Sequence, residues 1–333
     1  MILPPFELHR PRSLAEALEA ARASGGDFDF IAGGTDLLPN YKQRLNARRH
    51  VISLAHVPEL SELSFHPDGG ARIGAFVRLA DLEADPVVRE RYPAVVEAAS
   101  EVASILIRQS ATVGGNILVE TRCYYFNQSE FWRAAKGYCL KADGDVCLVV
   151  PQKTTCYATY SGDLAPVFMA LGASFRLVSL DGERNVPARE FFLGDGIEKN
   201  VLRRGEVLAS VDLPAAASGC RAGYRKLRIR DTFDFPLLGV AAALRAEPGD
   251  PPRIADLTVV VNAIHPRPLL MDEATRAVAL APLTPAVIDD LARDIEKRAR
   301  AYRNVSLPPS YRKQMVGVYV RRLLRELAGF GES

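Results

Sequence analysis

Four of the chain's five cysteines, Cys123, Cys139, Cys147 and Cys156, fall inside one 34-residue window. Even scattering would place about half of one there. Such crowding constrains the fold, because the segment must double back on itself if the thiols are to meet. The intervals of 15, 7 and 8 residues contain no Cys-x-x-Cys pair of the kind that zinc ribbons and ferredoxin loops use. Four soft ligands suit a [4Fe–4S] cluster, a zinc ion suits the same donors, and inert core thiols are the third reading. The odd cysteine total, in a chain long enough to bury a core without crosslinks, favours metal ligands over disulfides and points to a cytoplasmic setting. Cys220 stands apart and reads as an unliganded thiol.

The remaining composition excludes more than it suggests. At 333 residues and 48% hydrophobic, the chain is globular and sized for about two domains. Its 42 basic and 40 acidic residues leave a net charge of +2, too even for an electrostatically driven polyanion partner. The N-terminus, with prolines and an acid, lacks the pattern of an export signal. The most apolar long stretch, 164–175, falls short of the roughly 20 residues a membrane helix needs. His9, His50, His56, His66 and His265 show neither H-x-x-x-H nor H-E-x-x-H spacing, so no histidine metal site is expected. There is no G-x-S-x-G nucleophile elbow.

Local patterns predict alternating helices and short strands, hence an α+β class. Ser13 to Glu16 forms a capping box before a helix over 14–23, with Leu14, Leu18 and Ala21 as its apolar stripe. Strands are expected at 27–32, 51–54, 71–76, 174–180, 206–213, 224–229 and 257–263, and helices at 93–106, 164–171, 272–280, 285–301 and 311–327. Pro214 and Gly219 mark a loop, and the chain divides into 1–217 and 218–330.

Two turns carry more chemistry than the rest. Phe30-Ile31-Ala32-Gly33-Gly34-Thr35-Asp36-Leu37 and Thr112-Val113-Gly114-Gly115-Asn116 each place adjacent glycines where successive backbone N–H groups can converge on an anion. Two such loops can clasp a pyrophosphate from both sides. Neither is a Rossmann nor a P-loop signature.

The order of these loops, followed by Ser161-Gly162-Asp163-Leu164-Ala165-Pro166 and then Tyr224-Arg225-Lys226, resembles the FAD-binding subunits of the molybdenum hydroxylases, the xanthine dehydrogenase and carbon monoxide dehydrogenase group. The resemblance covers essentially the whole chain. It implies a vanillyl-alcohol-oxidase (PCMH) type FAD-binding domain of two subdomains, followed by a C-terminal α+β domain of the carbon monoxide dehydrogenase flavoprotein type. It further implies that residues 30–37 and 112–116 hold the FAD pyrophosphate, that Asp163 and Lys226 contact the cofactor, and that Leu208 and Val102 supply apolar contacts. Without the resemblance, Asp163 reads as a helix N-cap and Lys226 as a solvated strand lysine.

One departure stands out. In that family the Gly-Gly-Asn loop leads within a few residues to the Ser-x-Asp motif, whereas here residues 118–160 intervene and hold all four clustered cysteines. A cysteine-bearing insertion at this point resembles the β subunits of 4-hydroxybenzoyl-CoA reductases. That implies an electron-transfer subunit, with electrons passing from ferredoxin through a [4Fe–4S] cluster to FAD, and on to [2Fe–2S] and molybdenum centres in a small and a large molybdopterin-binding partner, as a dimer of heterotrimers. Tyr124, Tyr125, Phe126, Phe131, Trp132, Tyr138 and Tyr157 are expected to shield the cluster. The alternatives are the FAD subunit of an NAD-linked hydroxylase with a structural four-cysteine zinc site, and a flavin-free scaffold.

Overall fold

The computed structural model describes residues 2–215, 217 and 220–331. The chain opens with β1 (Glu7–His9), α1 (Leu14–Ala23), β2 (Phe28–Ile31), α2 (Leu37–Lys42) and β3 (His50–Ser53). The three strands form a parallel sheet in the order β1-β3-β2. Ser13 caps α1 by accepting from the Glu16 amide, while the Glu16 carboxylate reaches the Arg12 amide at 2.7 Å, one residue before the cap. Ala17, Leu18 and Ala21 of α1 pack with Phe28 and Ile52, which anchors the sheet under the turn that follows β2.

β4 (Leu63–Phe65) and β5 (Ala71–Gly74) lead into α3 (Leu79–Ala84), α4 (Pro86–Arg91), α5 (Pro93–Ser100), α6 (Ile105–Arg108) and α7 (Val113–Ile117). The helix expected over 93–106 is broken. Ala103 adopts a left-handed φ of 49°, and Ser104 starts a new helix by capping the Ile107 amide. Beyond α8 (Glu130–Ala135), α9 (Leu164–Ala170) is buried on every side, and β6 (Ser174–Ser179), β7 (Gly182–Pro187), α10 (Ala188–Phe191) and β8 (Val207–Leu213) complete an antiparallel sheet ordered β4-β5-β8-β6-β7.

The C-terminal part holds β9 (Arg221–Leu227), β10 (Leu238–Glu247), β11 (Arg253–Asn262), β12 (Leu269–Leu270), α11 (Asp272–Arg276), α12 (Pro285–Arg298) and α13 (Pro309–Ala328). Its sheet runs β12-β11-β10-β9. Sequence patterns did not predict β10, whose run of small apolar residues shows no polar alternation. The reason is its position: Ala241 and Ala243 face the core around α9, while Val240, Ala242 and Leu244 face the core around α12 and α13. A strand buried on both faces reads as continuous apolar sequence. The expected division at 217/218, and Gly219 of the expected loop, fall at or beside residues 216, 218 and 219, which lie outside the described residues. Among the described residues no helix is long and apolar enough to cross a membrane.

Candidate cofactor cradle and cysteine site

The first Gly-Gly turn sits where β2 ends. Gly34 has φ +71°, and a Cβ on Gly33 would lie 1.8 Å from the Ser110 carbonyl oxygen, so this turn rests directly on the chain entering the second. The N–H groups of Gly33, Gly34, Thr35 and Asp36 donate to no acceptor among the described residues. Thr35 is exposed and its neighbours are half-buried. Successive unspent amides at an accessible turn make a nest for an anion, as a pyrophosphate requires.

The second turn is built differently, which corrects the expectation that both loops offer amides. Val113 donates to Val77 O at 2.9 Å, Gly114 to Ala75 O at 2.7 Å, Gly115 to Thr112 Oγ1 at 3.1 Å and Asn116 to Thr112 O at 2.9 Å. Its glycines serve close packing instead: a Cβ on Gly114 would stand 2.7 Å from the Ala75 Cβ. The third motif closes on it, since a Cβ on Gly162 would meet Asn116 O at 2.4 Å. Asn116 Oδ1 accepts from the Leu164 amide at 2.9 Å and so caps α9.

Asp163 therefore makes no cap bond. Its carboxylate accepts from Tyr224 Oη at 2.7 Å and Lys226 Nζ at 3.2 Å, and Lys226 also donates to Glu101 O at 2.7 Å. Both side chains are almost fully buried. Burial raises the Asp163 pKa against the pull of Lys226 and Tyr224. The structure thus joins these two predicted contacts to each other, bracing α9 against β9. Leu208 lies in the core opposite Leu177 of β6, and Val102 is half-buried, with its carbonyl accepting from Arg108 at 2.9 Å.

The insertion leaves and re-enters through a narrow neck. Arg122 and Thr159 exchange two backbone hydrogen bonds of 2.8 and 2.7 Å, and buried Asn304 holds both sides, accepting from the Tyr124 amide and donating to Tyr157 O. Asp36 of the first turn accepts from the Glu120 amide at 3.0 Å and pairs with Arg122. Beside them Lys141 donates to Glu120 at 2.5 Å and to Gly196 O at 2.6 Å, and Lys199 reaches Glu120 at 3.0 Å. Burial would raise the Glu120 pKa, but Lys199 and Lys141 outweigh it and hold the carboxyl well below the usual range. Sequence reasoning missed Glu120, Lys141 and Lys199, because no linear spacing links residues that meet only after the insertion folds back.

Cys123, Cys139, Cys147 and Cys156 are buried, free of disulfides, and together line one small cavity with Phe126, Lys141 and Ala158. A Cβ on Gly196 would lie 2.7 Å from Cys156 Sγ. Burial pushes the Cys123 thiol up to about 12 and the Cys156 thiol up to about 11, so thiolates here call for a compensating cation. Cys220 is apart, its thiol 3.1 Å from Ala217 O. The aromatic shield is partial: Phe126 is buried, but Phe131 is 84% exposed and Tyr124 is exposed too. Among the described residues, the one group of three or more potential ligands with all donor atoms within 4.8 Å is Glu7, His9 and His50. Linear spacing gave no sign of this grouping, because β1 and β3 bring the residues together across the sheet.

Comparison with known proteins agrees with this fold. Residues 4–216 match the family described as FAD binding domain in molybdopterin dehydrogenase, and residues 222–327 match the CO dehydrogenase flavoprotein C-terminal domain. The chain is 34% identical over 252 residues to the aldehyde oxidoreductase FAD-binding subunit PaoB of Escherichia coli K12, covering 73% of this chain and 78% of that one. It is 31% identical over 245 residues to the carbon monoxide dehydrogenase medium chain of Hydrogenophaga pseudoflava, covering 74% and 71%. A solved structure of carbon monoxide dehydrogenase from Hydrogenophaga pseudoflava superposes with a TM-score of 0.80 at 26% identity over all of both chains.

Proposed function

This chain belongs to the FAD-binding subunits of the molybdenum hydroxylase family, and from that premise we propose that it is the electron-transfer subunit of a molybdenum-dependent 4-hydroxybenzoyl-CoA reductase. The single observation that carries the finer reading is the set of four buried, free thiols lining one cavity in an insertion tied to the first Gly-Gly turn. Replacing a ring hydroxyl by hydrogen, with water as the other product, consumes two electrons and two protons. FAD, when bound, supplies the exchange between one- and two-electron chemistry, and a [4Fe–4S] cluster supplies single electrons.

This chain's own residues do the positioning. The amides of Gly33 to Asp36 receive the pyrophosphate, and Asp36 keeps that turn fixed to the insertion neck. The Asp163–Lys226–Tyr224 brace sets the C-terminal sheet against the cofactor domain. Cys123, Cys139, Cys147 and Cys156 would hold the cluster. A ferredoxin would be the donor, and a large molybdopterin subunit and a small [2Fe–2S] subunit the acceptors.

Anaerobically purified protein should contain about four iron and four acid-labile sulfide per chain, with an EPR signal on reduction, and Cys156→Ser should abolish the cluster while leaving FAD bound. Stoichiometric zinc without sulfide would favour the NAD-linked hydroxylase reading. Failure of the reconstituted assembly to dehydroxylate 4-hydroxybenzoyl-CoA with reduced ferredoxin, despite an intact cluster, would overturn the substrate assignment alone.

A further inference from the structure

The three-stranded parallel sheet carries a second donor cluster, distinct from the cysteines. Glu7 and His9 lie two residues apart on β1 and so share a face, and the register sets Glu7 directly opposite His50 of β3. His9 Nε2 is 3.1 Å from His50 Nδ1. The Glu7 carboxylate oxygens stand 3.5 Å from His50 Nδ1 and 3.7 Å from His9 Nε2.

Tetrahedral coordination by imidazole nitrogen and carboxylate oxygen, at roughly 2.0–2.1 Å, spaces the donor atoms about 3.3–3.4 Å apart. The three observed separations bracket that value. Among the described residues Glu7 forms ion pairs with the two imidazoles, while the neighbouring Arg49 guanidinium turns to Asp27 at 3.6 Å. Among the described residues no cationic side chain other than these imidazoles pairs with the carboxylate.

We propose that Glu7, His9 and His50 bind a divalent first-row cation of the zinc class. Two neutral imidazoles and one carboxylate are a borderline donor set that suits Zn²⁺ and leaves a fourth position for water. The ion clips β1 to the sheet. That strand has only three residues, lies at the edge and pairs with β3 alone, so a crosslink through metal holds what backbone pairing holds weakly. β3 in turn pairs with β2, whose end opens into the first Gly-Gly turn.

The test uses full-length protein whose cysteine site is already loaded. Zinc should bind the wild type at one equivalent beyond that load and raise its melting temperature. H9A/H50A should lose that equivalent, and Glu7→Gln, at an exposed position, should weaken it by roughly tenfold or more. Cobalt at the site should show ligand-field absorption without thiolate charge transfer. Equal zinc stoichiometry and affinity in wild type and Glu7→Gln would overturn the proposal, whether or not the double variant folds. So would a cobalt spectrum showing thiolate charge transfer only.

Discussion

The two Gly-Gly turns are near copies in sequence and opposites in structure. The first keeps the amides of Gly33 to Asp36 unspent and holds Gly34 in the left-handed region, so it presents donors. The second spends the amides of Val113 to Asn116 inside the protein and uses the missing Cβ of Gly114 to let the chain after β5 press against α7. One glycine pair leaves its amides open and the other packs against its neighbours. The dipeptide alone does not separate these roles; the hydrogen-bond accounting does.

That contrast can be broken by substitution. Gly33→Ala should have the largest effect, because its Cβ would collide with backbone rather than with a flexible side-chain end. We expect a loss of roughly 3 kcal/mol of stability, together with loss of bound flavin as read by absorbance after desalting. Retention of full flavin would show that the first turn is not the anion nest.

Glu120→Gln should come next, at roughly 3 kcal/mol, because it leaves buried Lys141 without its carboxylate. Glu120 is held below the ordinary carboxylate pKa, so its contribution is complete above that range and disappears as the pH falls through the folded value. Urea denaturation at pH 7 and at pH 4 should therefore show the gap between wild type and variant narrowing at the lower pH. A constant gap would deny the electrostatic account. If the first turn owes its shape to the neck, flavin affinity should fall with it.

Gly114→Ala should cost about 1–3 kcal/mol in thermal unfolding, with flavin retained by the molecules that stay folded. Gly115→Ala should be the mildest, within about 0.5 kcal/mol, since its Cβ would meet only Thr112 Oγ1 at 3.0 Å. If Gly115→Ala released flavin as strongly as Gly33→Ala, the two turns would be equivalent after all.

Much of the architecture was legible because it is local. The Ser13 cap and the α1 stripe depend on neighbours in sequence. What escaped is long-range. β10 is buried on both faces and so lacks the alternation that marks a half-exposed strand. The Glu120–Lys141–Lys199 cluster spans 79 residues, and the Glu7–His9–His50 set exists only through strand register. The four cysteines were visible by density, but their meeting at one cavity depended on a fold-back that no spacing encodes. At Asp163 the motif located the residue, while its bond to Tyr224 and its pair with Lys226 came from strand β9, which no local pattern links to it.

The neck at Arg122 and Thr159 also bears on how such a subunit can arise. Because the chain departs and returns at hydrogen-bonded neighbours, the excursion between them joins positions that a short turn could span, and no strand of the three sheets lies within it. Closing a flexible loop of this length costs only about 3 kcal/mol, which the paired amides at Arg122 and Thr159 and the Asn304 bridge help to offset. An excursion of this kind can be accommodated at this doorway as a single piece, with the strand order of the surrounding sheets unchanged.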